Sequence, residues 1–226
     1  MTAPLAVRAV LIDLDGTLLE TGPDIVAAAN RMLAELGRPE LAEARASEFI
    51  GKGVANLVTR CLQESGLPAD DHAVAVALAL FERHYLAGVA ERTRPYPGVV
   101  EGLEQLARMG MPLGCVTNKA AMFTLPLLER TQLARYFRIV VSGDTVEHKK
   151  PHPQPLLYAA DALRVVPAGL LLIGDSANDV RAARAAGCPV FVVPYGYREG
   201  MSLESLAADR VVADLVEAAG SITMAA

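Results

Sequence analysis

Cysteine is scarce and scattered, with Cys61, Cys115 and Cys188 the only three in 226 residues. An odd number at wide spacing excludes a disulfide framework and fits a reduced, cytoplasmic protein. No cysteine–histidine pair has zinc-site spacing. Cys115, inside Leu113-Gly114-Cys115-Val116, reads as a buried inert thiol. Long runs of like charge are missing too, and the net charge is −5. The clustered basic face that nucleic acid requires is therefore absent, and the dispersed Lys and Arg read as solvated surface. No apolar run is long enough to span a membrane; residues 73–81 come nearest and fall short. The apolar N-terminus leads into Asp13 and Asp15 rather than a small-residue cleavage site, which makes it a first strand and not a signal peptide. Internal repeats and low-complexity segments are lacking.

Apolar residues are plentiful, at 52% of the chain, so a substantial core is expected. Short, often β-branched runs at 7–12, 112–116, 138–141, 170–173, 190–193 and 210–212 read as strands. Helical patterns at 99–109, 121–130, 155–163 and 178–186 lie between them. Strands alternating with helices predict βαβ units and a parallel sheet covered on both faces. Residues 18–94 break this rhythm, with helical periods at 25–36, 54–63 and 73–86 and no convincing strand. The alternation of Ala with Val or Leu over 73–80 imitates a strand, but its length and alanine content favour a helix. The expected division is a core of 1–17 and 95–226 and a helical insertion of 18–94, with hinges at 18–21 and 94–98.

Polar clusters follow the strands. Asp13-Leu14-Asp15-Gly16-Thr17 ends the first. Residues two apart on an extended chain point the same way, so both acids face one spot. Thr117-Asn118-Lys119 follows the strand at 112–116, Lys149-Lys150-Pro151 follows 138–141, and Gly174-Asp175-Ser176-Ala177-Asn178-Asp179 follows 170–173. In a doubly wound sheet the carboxyl ends of the strands form the ligand crevice, where these clusters converge. Asp13, Asp15, Asp175 and Asp179 together suit Mg²⁺, which takes oxygen ligands from a few carboxylates, water and phosphate. A lysine and the hydroxyls of Thr117 and Ser176 complete a set suited to a phosphoryl group. Simpler readings also exist. Asp175 could cap the following helix, and Asp179 could be a solvated acid favoured by the helix dipole.

These four motifs, in this order, resemble those of the haloacid dehalogenase superfamily, and within it the bacterial phosphoglycolate phosphatases. The similarity runs along essentially the whole chain and includes the late Tyr195-Gly196-Tyr197. It implies a three-layer Rossmann-like α/β core with an inserted helical cap. It implies Mg²⁺-dependent phosphomonoester hydrolysis through an aspartyl-phosphate, with 2-phosphoglycolate as the expected substrate. By the same resemblance Asp13 is the nucleophile and Asp15 the general acid and then base. Asp13, the Asp15 backbone carbonyl and Asp175 hold the metal, and Asp179 supports it. Thr117 and Lys150 hold the phosphoryl group, Lys149 being the runner-up for the lysine, and Asn118 joins the substrate contacts. Cap closure is expected to exclude water from the first step.

In the insertion, Gly51-Lys52-Gly53 precedes a helical pattern. It is a candidate anion site for the substrate's non-phosphate end, against the plainer reading of a helix-entry turn. Three other readings stay open: a phosphatase for a sugar or amino-sugar phosphate, a phosphosugar mutase using the same residues, and a non-catalytic binding module. Oligomeric state is not readable.

Overall fold

The computed structural model describes residues 3–50, 53–198 and 200–225. The chain forms two compact units, Met1–Glu20 with Pro95–Ala226, and Thr21–Arg94. The first contains a six-stranded parallel sheet of β1 (Ala9–Ile12), β2 (Leu113–Val116), β3 (Ile139–Val141), β4 (Leu170–Gly174), β5 (Val190–Val192) and β6 (Arg210–Val211). The spatial order is β3-β2-β1-β4-β5-β6. The chain winds outward from β1 in one direction and then in the other, so the switch point lies between β1 and β4. Register aligns Ile12 with Cys115 on one side and with Ile173 on the other. Asp13 and Asp175 therefore leave adjacent strands at the crevice.

β1 and β4 read as unbroken apolar runs because both faces of the sheet are covered. On one face Ala9, Leu11, Leu170, Leu172, Val190 and Val192 pack against Leu156, Ala159, Val180 and Ala183. Val10, Ile12, Leu171 and Ile173 alternate to the opposite face and are equally buried. The helix Ala121–Arg130 has its expected bounds, and those at Val99–Arg108, Gln154–Leu163 and Ala177–Ala186 differ from expectation by a residue at an end.

Three departures have local causes. The first expected strand is split at Arg8, whose backbone N–H donates to Gly169 O. Its leading part, Leu5–Val7, pairs instead with a strand at Ile222–Met224 that sequence reading missed. The helix Leu215–Gly220, capped by Asp214, was missed as well, being too short for a clear period. No helix among the described residues is long and apolar enough to cross a membrane.

The second unit is helical, with helices at Gly22–Glu35, Glu43–Ser47, Val54–Glu64 and Asp71–Ala87. The strand-like alternation near residue 73 lies within the last of these, which starts with Asp70 accepting from the Ala73 N–H at 2.9 Å. Alternating Ala tolerates both states, so the cap and the length decide. The buried Asp24 ties the unit's beginning to its end, accepting from Arg92 N at 2.8 Å, Thr93 N at 2.9 Å and Thr93 Oγ1 at 2.7 Å.

Candidate active site

The carboxyl ends of β1, β2 and β4 bring the sequence-predicted acids together. Asp13, Asp175 and Asp179 offer oxygens that all lie within 4.8 Å of one another, and all three residues are buried. Asp13 is fixed by its backbone N–H, which donates to Ile173 O at 2.9 Å. Asp175 is not the helix cap; Ser176 holds that position. Asp179 is fully buried and belongs to a capping box, its Oδ2 accepting from Ser176 N at 3.2 Å and Ser176 Oγ at 2.6 Å. The solvated first-turn reading of Asp179 is thereby overturned.

Lys150 supplies the counter-charge. Its Nζ lies 2.7 Å from Asp13 Oδ1 and 2.6 Å from Asp179 Oδ1, and it donates to Val116 O at 2.8 Å. Burial alone would discharge this lysine, yet Asp13 and Asp179 raise its pKa above the ordinary value. Burial pushes Asp13 up to about 7, reinforced by Asp179 and Asp15 and opposed by Lys150. Burial also raises Asp175 well above the carboxylate range, with Asp179 and Asp13 adding to it. One lysine does not neutralise three clustered acids, so the cluster retains demand for positive charge.

Two glycines enclose Asp175. Gly16 turns the chain at φ 85°, and a Cβ there would lie 2.3 Å from Asp175 Oδ2. A Cβ on Gly196 would lie 2.2 Å from the same oxygen and 2.4 Å from Gly16 O. The neighbouring Tyr197 N–H donates to Asp175 Oδ2, and Thr17 Oγ1 donates to Oδ1 at 3.3 Å. Tyr195, from the same loop, donates its hydroxyl to Thr17 O at 3.1 Å. This support was missed as a role although its tripeptide is visible in the sequence. Gly196→Ala is expected to displace Asp175 and the Gly16 backbone and so to lower the cluster's apparent affinity for a divalent cation about 10- to 100-fold, as loss of such supporting contacts typically does. Thermal stabilisation of wild type and variant titrated with Mg²⁺ checks it.

Thr117 is buried at the end of β2. Its N–H donates to Val141 O at 2.9 Å, and its Oγ1 accepts from Lys119 N at 3.2 Å. The Asn118 side chain is spent on the Lys150 backbone, accepting from Lys150 N at 2.9 Å and donating to Lys150 O at 2.8 Å. The structure thus shows it holding the lysine loop. Lys149 is exposed, whereas Lys150 enters the cluster. The Asp15 carboxylate is not one of the three clustered acids and pairs with Lys119, whose Nζ lies 3.0 Å from Oδ1 and 3.3 Å from Oδ2. Lys119 was missed because a lysine reads as solvated surface by default. The candidate anion site at Gly51 and Lys52 lies outside the described residues. Cys61, Cys115 and Cys188 are free and buried, and burial raises the Cys61 and Cys188 thiols to about 11.

A family model described as haloacid dehalogenase-like hydrolase matches residues 10–193, which contain every acid and both lysines of this site. A phosphoglycolate phosphatase of Thiobacillus denitrificans is 51% identical over 223 residues, covering 98% of each chain. One from Nitrosospira multiformis is 51% identical over 220 residues, covering 96% of each. A solved Haemophilus somnus structure, described as a predicted phosphoglycolate phosphatase, superposes with a TM-score of 0.88 at 28% identity, covering 94% of this chain and 96% of that one. The chain belongs to the haloacid dehalogenase-like hydrolases.

Proposed function

We propose that this hydrolase cleaves small phosphate monoesters, with 2-phosphoglycolate as the preferred substrate and Mg²⁺ as the cofactor. The observation that carries the reading is Asp13 Oδ1. It is buried and meets Lys150 Nζ at 2.7 Å as an ion pair, with no other donor on it. A buried carboxylate oxygen left in this state suits a nucleophile and a metal ligand.

The donor set fits a hard divalent cation. Asp13 and Asp175 would hold it together with the Asp15 carbonyl, and Asp179, its oxygens engaged by Lys150 and Ser176, would support from behind. Bound there, Mg²⁺ would offset charge on the phosphoryl oxygens. Asp13 attacks phosphorus as the ester oxygen leaves, and Asp15 protonates that oxygen. Asp15 then takes a proton from water as the water oxygen bonds to phosphorus and Asp13 is released. Thr117 and Lys150 orient the phosphoryl oxygens. The three buried free thiols suit a reduced, cytoplasmic setting.

The choice of 2-phosphoglycolate rests on the relatives named for that substrate, two of them 51% identical over nearly full length. A panel of small phosphomonoesters with Mg²⁺, ranked by kcat/KM, tests it. The expected result is 2-phosphoglycolate first by at least about tenfold, a margin that one well-recognised polar group supplies. A sugar phosphate in first place would sink the substrate assignment. Stoichiometric phosphate release without a bisphosphate requirement separates a hydrolase from a mutase.

A further inference from the structure

Two buried lysines divide the acids of the site between them. Lys150 serves Asp13 and Asp179, and Lys119 serves Asp15. Exposed ion pairs contribute little, but the Lys119 side chain is only 4% exposed and that of Asp15 22%. The backbone of Lys119 is held on both sides. Its N–H donates to Thr117 Oγ1, and its carbonyl accepts from Gly143 N at 2.8 Å and from Thr124 Oγ1 at 3.1 Å. A long, flexible side chain is thus anchored at its root, buried along its stem, and brought to both oxygens of one carboxylate. The segment that places Lys119 also places Thr117 and Asn118, so the grip on Asp15 is tied to the phosphoryl-binding end of β2.

We propose that Lys119 is a positioning residue that fixes the Asp15 carboxylate for its two proton transfers. The inference rests on the acid/base reading of Asp15 given above. In the first transfer, the ester P–O bond breaks, the Asp13–phosphorus bond forms, and the proton of Asp15 passes to the leaving oxygen. In the second, water gives its proton back to Asp15 while its oxygen displaces Asp13. Both transfers need the same carboxylate at hydrogen-bond range from a different oxygen, and displacement by about 1 Å costs on the order of 100-fold in rate. Lys119 acts through Asp15 and leaves substrate binding unchanged.

The test is a double-mutant cycle on Lys119→Met and Asp15→Asn, assayed with the ester ranked first in the phosphomonoester panel. Lys119→Met is expected to lower kcat about 30- to 100-fold with KM within about threefold of wild type. The double variant is expected to be no slower than Asp15→Asn alone, the mark of residues acting as one unit. A raised KM at unchanged kcat would assign Lys119 to substrate binding and overturn the proposal. Multiplying losses in the double variant would overturn it as well. Asp15→Asn alone tests the underlying reading: full turnover there removes the acid/base role, and the proposal falls with it. If Lys119→Met does not fold, Lys119→Arg decides. It keeps the charge but shifts the donors, so reduced kcat at unchanged KM supports positioning, and wild-type kcat with raised KM overturns it.

Discussion

Asp13→Asn is expected to abolish turnover and, in the metal-free protein at pH 8, to raise thermal stability. An amide does not attack phosphorus, and loss of a nucleophile typically costs about 10⁴-fold or more in kcat. The stability effect follows from the raised pKa. Asp13 binds its proton more tightly when folded, at about 7 against 3.8. Between those values the native state carries more protons than the unfolded one, so stability falls as pH rises from about 4 to about 7 and levels off above. Asn carries no charge and escapes this cost, a difference on the order of a few kcal/mol, offset in part because Lys150 loses one of its two acid partners. Melting curves at pH 5 and pH 8 in chelator should show the wild type losing stability over that interval and Asp13→Asn losing less, the remainder coming from the raised Asp175. Mg²⁺ should then stabilise the wild type far more than the variant, because an ion held by the cluster as proposed would bind only the folded state. A variant that melts below the wild type at pH 8 in chelator would refute the electrostatic account.

Lys150→Ala is expected to damage both activity and stability. Without its ammonium, Asp13, Asp175 and Asp179 remain within 4.8 Å of one another with no lysine among them, and Val116 O loses a donor. Removing one partner of a buried ion pair costs about 3–5 kcal/mol. For a chain of this size that corresponds to a Tm lower by roughly 10 °C. If Lys150 orients the phosphoryl oxygens as proposed, loss of that preorganised charge should lower kcat by about 10³-fold. Urea unfolding and steady-state kinetics on one preparation check both effects. Excess Mg²⁺ should recover much of the stability and little of the rate, since the ion replaces the charge but not its position. A variant with wild-type Tm in chelator would mean that the acids shed their charge together without Lys150.

Some parts of this site were legible in the sequence and others were not, for physical reasons. Asp13 and Asp15 stand out because a buried strand does not end in two acids without a cation nearby. Asp175 and Asp179 stand out by spacing, but whether Asp179 faces water or the cluster depends on Lys150, which comes from another loop. Asn118 looks like a ligand contact because an amide following a strand end is free to point anywhere. Only the position of residue 150 beside it shows both ends of the amide engaged. Lys119 is invisible to composition, since burial is what separates it from the surface lysines. In the fold, the six strands are plain from their apolar runs. The strand at Ile222–Met224 is defined by its partner at Leu5–Val7 and not by its own pattern.

The placement of β4 bears on how the chain can be made. β4 lies in the middle of the sheet, yet its residues, 170–174, come late, and its partner β1 ends at residue 12. During synthesis β1 can pair with β2 once residue 116 has emerged, but its other edge stays open until the fourth of the six strands, ending at residue 174, has left the ribosome. An open, apolar strand edge is a template for pairing with other chains. Closing the contact from Thr17 to Asp175 spans 158 residues, which makes the site a product of late, long-range pairing. Truncated chains that stop before residue 170 should therefore accumulate as chaperone-bound or aggregated species and not as small folded fragments.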